Sequence, residues 1–185
     1  WRDRFGTVSL AFAQSPKLLS FLLLSLLTNL GAGIFYAFSN LRIQEVGGNA
    51  SMVTLAATIA ATVEIPFFLI GGAIALRFGM RAVYAIGLVA LGLCSFGYAL
   101  DVSPIFLGVI RGLCGVGFAC TLLGSVLTIR AIVPLALQAT GQALLQAVSF
   151  GLAVSIASIV GGVLYGELGA PPLFMLSGLI LIGSV

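Results

Sequence analysis

Histidine is absent from the chain, and only eight basic and five acidic side chains occur among its 185 residues. Each shortage closes a class of function. Without histidine there is no Ser-His or Cys-His nucleophile pair, no HExxH zinc site and no imidazole-ligated haem or copper. The three cysteines, Cys94, Cys114 and Cys120, form no CxxC pair and lie within apolar stretches. They read as small packing residues, so neither a cofactor nor a metal is expected, and no enzyme activity. The 7% charged fraction falls far below the roughly 25% of soluble domains, leaving too little polar surface to solvate a compact particle. The net charge of +3 is dispersed rather than gathered into a basic run, which argues against a nucleic-acid partner. The opening Trp1-Arg2-Asp3-Arg4-Phe5-Gly6 lacks the layout of a signal peptide and carries no Met, so the chain is expected to be a piece of a longer one.

What is present is apolar: 61% hydrophobic residues and a mean hydropathy of +1.24. A membrane span needs about 20 predominantly apolar residues. Such runs occur near residues 18–40, 52–76, 82–100, 104–129 and 135–165, with a shorter sixth at 172–185, preceded by a polar segment over 1–17. The sixth run is too short to cross a hydrocarbon core of about 30 Å, so the sequence is expected to stop inside a helix. Continuous runs of this length exclude a transmembrane barrel, whose strands alternate over about 10 residues. The expected fold is an all-α, polytopic six-helix bundle with lipid as its solvent.

Charge placement tests that count independently, because a missed span would invert the sidedness of everything after it. With a cytoplasmic N-terminus, Arg2, Arg4, Lys17, Arg77, Arg81 and Arg130 fall on the cytoplasmic side, and only Arg42 among loop cations falls outside. That bias places the N-terminus on the cytoplasmic side of a multi-pass membrane protein; the expected location is the plasma membrane, a bacterial inner membrane.

Polar residues are unevenly shared among the spans. The first carries Asn29, Gly33, Tyr36 and Asn40 at helical steps, the second Glu64, the fourth Arg111, Phe118, Thr121, Ser125 and Thr128, and the fifth Gln138, Gln142, Gln146 and Ser149. The third and sixth are nearly bare. Polar stripes in lipid must face protein or water, so spans one, two, four and five are expected to surround a shared polar space with three and six outside. Interhelical hydrogen bonding without a cavity is the alternative.

Glu64 falls close to the bilayer midplane, where an acid costs about 2.5–3.5 kcal/mol to insert. It is a candidate proton carrier, substrate contact or half of an ion pair. Arg111 lies in the outer part of the fourth span and stays charged, so it needs an anion or water. The two are expected to approach each other, directly or through substrate; snorkelling of Arg111 to the outer headgroups is the alternative. Pro66, two residues after the acid, predicts a kink. Gly108, Gly112, Gly115, Gly117 and Gly124 predict a small-residue packing face on the fourth span. Asn49-Ala50-Ser51 matches a glycosylation sequon.

The segment Gly72-Ala73-Ile74-Ala75-Leu76-Arg77-Phe78-Gly79-Met80-Arg81 resembles the GxLaDRxGRR signature of the major facilitator superfamily, which lies between helices two and three and recurs, more degenerately, between eight and nine. Leu76 stands where the signature has its acid and Met80 where it has the first following arginine, which implies the C-terminal half. Ala13-Gln14-Ser15-Pro16-Lys17-Leu18-Leu19 resembles the end of the central cytoplasmic loop entering helix seven. Glu64-Ile65-Pro66 is similar to a Glu-Ile-Pro of helix eight in the lactose-permease-like and sugar-efflux branches. Ile110-Arg111-Gly112 falls where that branch often has Leu-His-Gly, so Arg111 replaces the proton-coupling histidine. Ala139-Thr140-Gly141-Gln142 and Gly161-Gly162-Val163-Leu164-Tyr165 resemble its helix eleven.

The resemblance implies half of a secondary transporter that moves a small polar or organic solute by alternating access, with proton coupling and with an N-terminal six-helix half as partner. It also implies that helices seven, eight, ten and eleven line the cavity. The candidate solute contacts are Asn29, Tyr36, Glu64, Arg111, Gln142 and Gln146, with Glu64 the candidate proton carrier. Gly72, Arg77, Gly79 and Arg81 form the conformational loop. A drug or sugar exporter of the same fold, a non-transporting scaffold and a passive channel are the rival readings.

Overall fold

A computed structural model describes residues 10, 11 and 13–185. Arg2 and Arg4, and most of the expected loop over 1–17, lie outside the described residues. The rest is helical. Helix α1 spans Pro16–Glu45, α2 Ala50–Phe78 and α3 Met80–Ala99. The fourth span is α4, Pro104–Ile110, followed by α5, Gly112–Ile132. The fifth begins with a 3-10 turn at Leu135–Leu137 and α6, Gln138–Gln146, passes through a π-helical segment at Ala147–Ala153 and ends with α7, Val154–Leu168. The sixth is α8, Ala170–Gly183. Five spans are long and apolar enough to cross a membrane, and α8 is an apolar helix of 14 residues.

Local chemistry sets the boundaries. Proline begins α1, α4 and, one residue in, α8, where the missing amide hydrogen is not needed. Asn49 caps α2 by accepting from the Met52 amide at 3.0 Å, so the sequon asparagine serves as a helix cap. Gly79, at φ 87°, is the only residue between α2 and α3 and reverses the chain where a β-carbon would be strained.

Helix α1 runs five residues past the expected end of its span, which carries Arg42 out of the loop and onto the helix. Arg42 is buried rather than a free outer cation. Its guanidinium donates to the backbone oxygens of Tyr98 at 3.3 Å and Leu100 at 3.1 Å, and it pairs with Asp101 and, at 3.5 Å, with Glu45. Lys17, Arg77, Arg81 and Arg130 lie at the opposite, basic end of the bundle, since they occupy the start of α1, the end of α2, the start of α3 and the end of α5.

The third span is more deeply packed than expected from its lack of polar residues. It runs between the first, fourth and sixth, leaving Ile86, Val89 and Leu93 as an exposed apolar stripe. Ser95 meets Ser177 at 3.1 Å, and Ser177 donates to the Gly31 carbonyl at 2.8 Å, joining spans three, six and one. By contrast α2 buries only Ala56 and Gly71 along 29 residues. It continues through Pro66 as one helix.

The glycines of the fourth span divide between two faces. Gly108, Gly112 and Gly115 meet α2 at Ala56, Ile59, Val63, Ala60 and Glu64, whereas Gly117 and Gly124 meet Leu91 and Tyr84 of α3. At Gly115 a β-carbon would collide with the Ala60 carbonyl, so bare backbone is what lets the two helices touch. In the fifth span Gly141, Leu145, Ser149, Ala153, Ala157 and Gly161 are buried at constant steps of four. A regular α-helix drifts by about 40° over such a step. The wider turns of the π segment take up part of the drift.

Candidate functional site

A cavity of about 330 Å³ lies between the first, third, fourth and fifth spans. Thr28, Asn29, Gly33 and Tyr36 reach it from α1, Phe118, Thr121 and Ser125 from α5, and Gln146, Ser149 and Phe150 from the fifth span. Helical spacing in α1 aligns Asn29, Gly33 and Tyr36 on one face. On the fifth span, the polar residues sit where α6 gives way to the π segment, a geometry frequent at functional sites.

The wall differs from the sequence expectation in one respect. Tyr84, Leu88 and Leu91 of the third span and Leu181 of the sixth line the cavity, and no residue of the second span does. Neighbouring helices cause this: Gly87 and Gly117 draw α3 against α5, and the tyrosine one turn before Gly87 then turns inward. Tyr84 was missed because a single hydroxyl in an otherwise apolar helix makes no stripe. Thr28 was missed because it falls one position from the stripe of Asn29.

Asn29, Tyr36 and Gln146 therefore stand together at the cavity. The Asn29 amide donates to the Ser25 carbonyl at 2.8 Å, which fixes the side chain and leaves its oxygen available. Tyr36 packs edge-on against Phe118 at 6.4 Å and Phe35 at 5.6 Å between ring centres. Gln142 is occupied differently, donating to the Val126 carbonyl at 3.1 Å and so tying the fifth span to the fourth. Gln138 does the same at the Arg130 carbonyl, at 3.2 Å.

Arg111 is buried outside the cavity wall, at the point where α4 passes into α5. Its guanidinium donates to the Ser39 hydroxyl and lies 5.3 Å from the centre of the Phe35 ring, a cation–π arrangement. Its Nε is buried without a hydrogen-bond partner. Phe35 thus touches the arginine, and Tyr36, edge-on to Phe35, faces the cavity. Cys94 and Tyr98 of α3 donate to the Ile110 carbonyl at 3.3 Å and the Leu107 carbonyl at 3.1 Å, holding the same junction.

Glu64 is half-buried, with its amide against Gly115, one helical turn beyond Arg111. The direct ion pair between Glu64 and Arg111 is not formed: among the described residues, ion pairs occur at Arg42 with Glu45 and Asp101. The two helices meet on their glycine face, and Arg111 points instead toward α1, where Ser39 and Phe35 receive it.

The signature-like segment is mostly helix. Gly72 and Arg77 belong to the last turns of α2, Arg81 to the first turn of α3, and Gly79 alone joins them. The Arg77 guanidinium lies 5.2 Å from the centre of the Phe78 ring.

A family model described as the MFS_1 like family matches residues 3–176. Neither a curated protein nor a solved structure matches the chain.

Proposed function

Because the chain belongs to the MFS_1 like family, we propose that it forms the C-terminal half of a secondary transporter that carries a small polar or organic solute by alternating access, coupled to protons. The observation that carries this reading is the cavity itself. Amide and hydroxyl groups of Asn29, Tyr36, Gln146 and Ser149 converge there from two spans, among the aromatic rings of Phe118 and Phe150. Such a mixture of a few placed polar groups on an apolar wall suits a small organic ligand. Glu64 is the proposed proton carrier, since it is an acid within a span and has no ion-pair partner among the described residues. Arg111 is proposed to engage an anionic group in another conformation of the cycle, its Nε being unpaired here.

The second and fifth spans bury few residues, and an N-terminal six-helix half is the proposed partner that covers them. Gly79, with Gly72, Arg77 and Arg81 around it, would then be the joint around which spans two and three rearrange. Under this reading the basic end carrying Lys17, Arg77, Arg81 and Arg130 is cytoplasmic, in a bacterial inner membrane.

The test is solute-driven proton movement in proteoliposomes of the full-length protein, across a panel of sugars, nucleosides and aromatic acids, with and without Glu64→Gln. The expected result is proton movement with one solute class that the variant loses while still exchanging that solute. Uphill accumulation with unchanged pH dependence in the variant would overturn the coupling role, and absence of flux for every solute would overturn transport.

A further inference from the structure

Helices α3 and α5 run antiparallel in a register fixed by close contacts. Gly87 meets Thr121, Leu91 meets Gly117 and Tyr84 meets Gly124, so each step along one helix is matched by an equal step back along the other. A β-carbon at Gly87 would stand 2.6 Å from the Thr121 nitrogen, and one at Gly124 would stand 3.0 Å from the Tyr84 α-carbon. The two backbones therefore approach closely, with no side chain between them at these glycines. Continued by one more step, the register sets Cys94 directly opposite Cys114.

The two sulfurs are 3.6 Å apart, with the Cys114 thiol donating to the Cys94 sulfur and the Cys94 thiol donating to the Ile110 carbonyl at 3.3 Å. A disulfide needs its sulfurs about 2.05 Å apart and its β-carbons about 3.8 Å apart. The glycine contacts bring the backbones together, and rotation of the two side chains closes the sulfurs. By the same register Cys120 falls opposite Leu88 and has no thiol facing it from α3. Packing alone accounts for a single buried cysteine such as Cys120, and it does not require the other two to face each other.

The pair lies at the end of the cavity. Tyr84, Leu88 and Leu91 line that space from α3, and Ser125, Thr121 and Phe118 line it from α5. By helical spacing Cys94 and Cys114 are the next residues on these two stripes, one step beyond the wall. Both are buried, so only a small uncharged reagent can reach them. The Arg111 charge bears on both thiols, and its unpaired Nε is a donor for an anion formed beside them.

We propose that Cys94 and Cys114 form a site of reversible oxidation, closed to a disulfide by hydrogen peroxide. The Cys114 sulfur attacks one peroxide oxygen; the oxygen–oxygen bond breaks, and the departing oxygen takes up the thiol proton and leaves as water. The Cys94 sulfur then attacks the sulfenic sulfur, whose hydroxyl leaves with the Cys94 proton as a second water. Two thiols lose two electrons and one peroxide gains them. The bridge would tie α3 to α5 just past the junction with α4. The inference does not depend on which solute the protein carries.

The full-length protein in native membranes is treated with hydrogen peroxide, cleared with catalase, unfolded in dodecyl sulfate with N-ethylmaleimide and digested for mass spectrometry. Cys94 and Cys114 should lose the maleimide together and to the same extent, and their peptides should appear as one linked species lighter by two hydrogens than the reduced pair. Cys120 should keep its label, and dithiothreitol before the maleimide should restore the other two. Cys94→Ser should abolish the linked species; because the linkage is read in the unsubstituted protein, a variant that fails to fold leaves the test standing. Full labelling of both cysteines at a peroxide concentration that oxidises free cysteine in the same buffer would overturn the proposal. Loss of one thiol without the other, or linkage of either to a different cysteine, would overturn it as well.

Discussion

The hydroxyls of Thr28 and Tyr84 lie 2.9 Å apart and join the first span to the third at the cavity wall. Thr28 has one proton and places it on the Ser25 carbonyl at 3.1 Å, so Tyr84 is the donor of the pair. Tyr84→Phe removes a donor and leaves Thr28 still bonded, and should cost about 0.6 kcal/mol, the average for a hydrogen bond between membrane helices. Thr28→Val leaves the buried tyrosine hydroxyl without its acceptor and should cost more, about 1–3 kcal/mol. Thermal unfolding of the full-length protein in detergent gives the order; equal losses would show that Tyr84 has another partner.

Arg42 and Asp101 should respond unequally to replacement. Asp101 is solvent-exposed and offers one carboxylate, so Asp101→Asn should cost less than about 1 kcal/mol. Arg42→Gln strips the Tyr98 and Leu100 carbonyls of their donor as well, and should cost about 2–3 kcal/mol. The same unfolding measurement, repeated at high salt, separates them: salt should weaken the contribution of Asp101 and barely alter that of the carbonyl contacts.

Gly115→Ala should be the most disruptive of the single-methyl additions in the fourth span. Its neighbours are the backbone of Ala60 and Glu64, which cannot rotate away, so α2 must move, at about 1–3 kcal/mol. Gly166→Ala meets nothing within 4 Å and lies in α7, where alanine favours the helix by up to about 1 kcal/mol. Opposite shifts in unfolding temperature are expected.

The cysteines should resist a polar maleimide in intact membranes. Cys94, Cys114 and Cys120 are all buried, and the Cys114 sulfur meets the Cys94 sulfur at 3.6 Å. Labelling should reach completion only after unfolding in dodecyl sulfate. Rapid modification of the folded protein would show that the junction of spans three and four opens.

Asn29 and Gln146 should separate from Gln142 in transport. Under the proposed function, Asn29→Ala and Gln146→Ala should each raise the solute KM by about tenfold, the loss of one good hydrogen bond, with normal amounts of protein in the membrane. Gln142→Ala breaks a contact between spans and should lower thermal stability instead. A stability loss for Gln146 without a KM change would remove it from the cavity contacts.

The helical bundle was legible because its signals are those lipid itself imposes: long apolar runs, and charges that, but for Glu64 and Arg111, fall at or near the connections. The candidate site was legible only where side chains repeat on a helix face, as Asn29, Gly33 and Tyr36 do. Arg42 reads as a loop residue in the sequence because its partners, Asp101 and two carbonyls, lie far along the chain. The third span looked peripheral because its contacts are made by glycines and single hydroxyls. The two glycine faces of the fourth span could not be told apart either, since a glycine carries no side chain to say which neighbour it admits. The π segment leaves no mark in composition; its trace is the four-residue step of the small residues.

That step gives the fifth span two registers joined by adjustable thread. Below Ala147 the helix presents Gln146 to the cavity, and above Val154 it presents Ala157 to Gly33 of the first span. If the wide turns moved by one residue toward the start of the helix, Gln146 would pass from one register to the other, a turn of up to about 100°, while residues farther out kept theirs. The Ala157 contact with Gly33 would stay seated while Gln146 left the wall, so the polar lining of the cavity can change without the first and fifth spans parting.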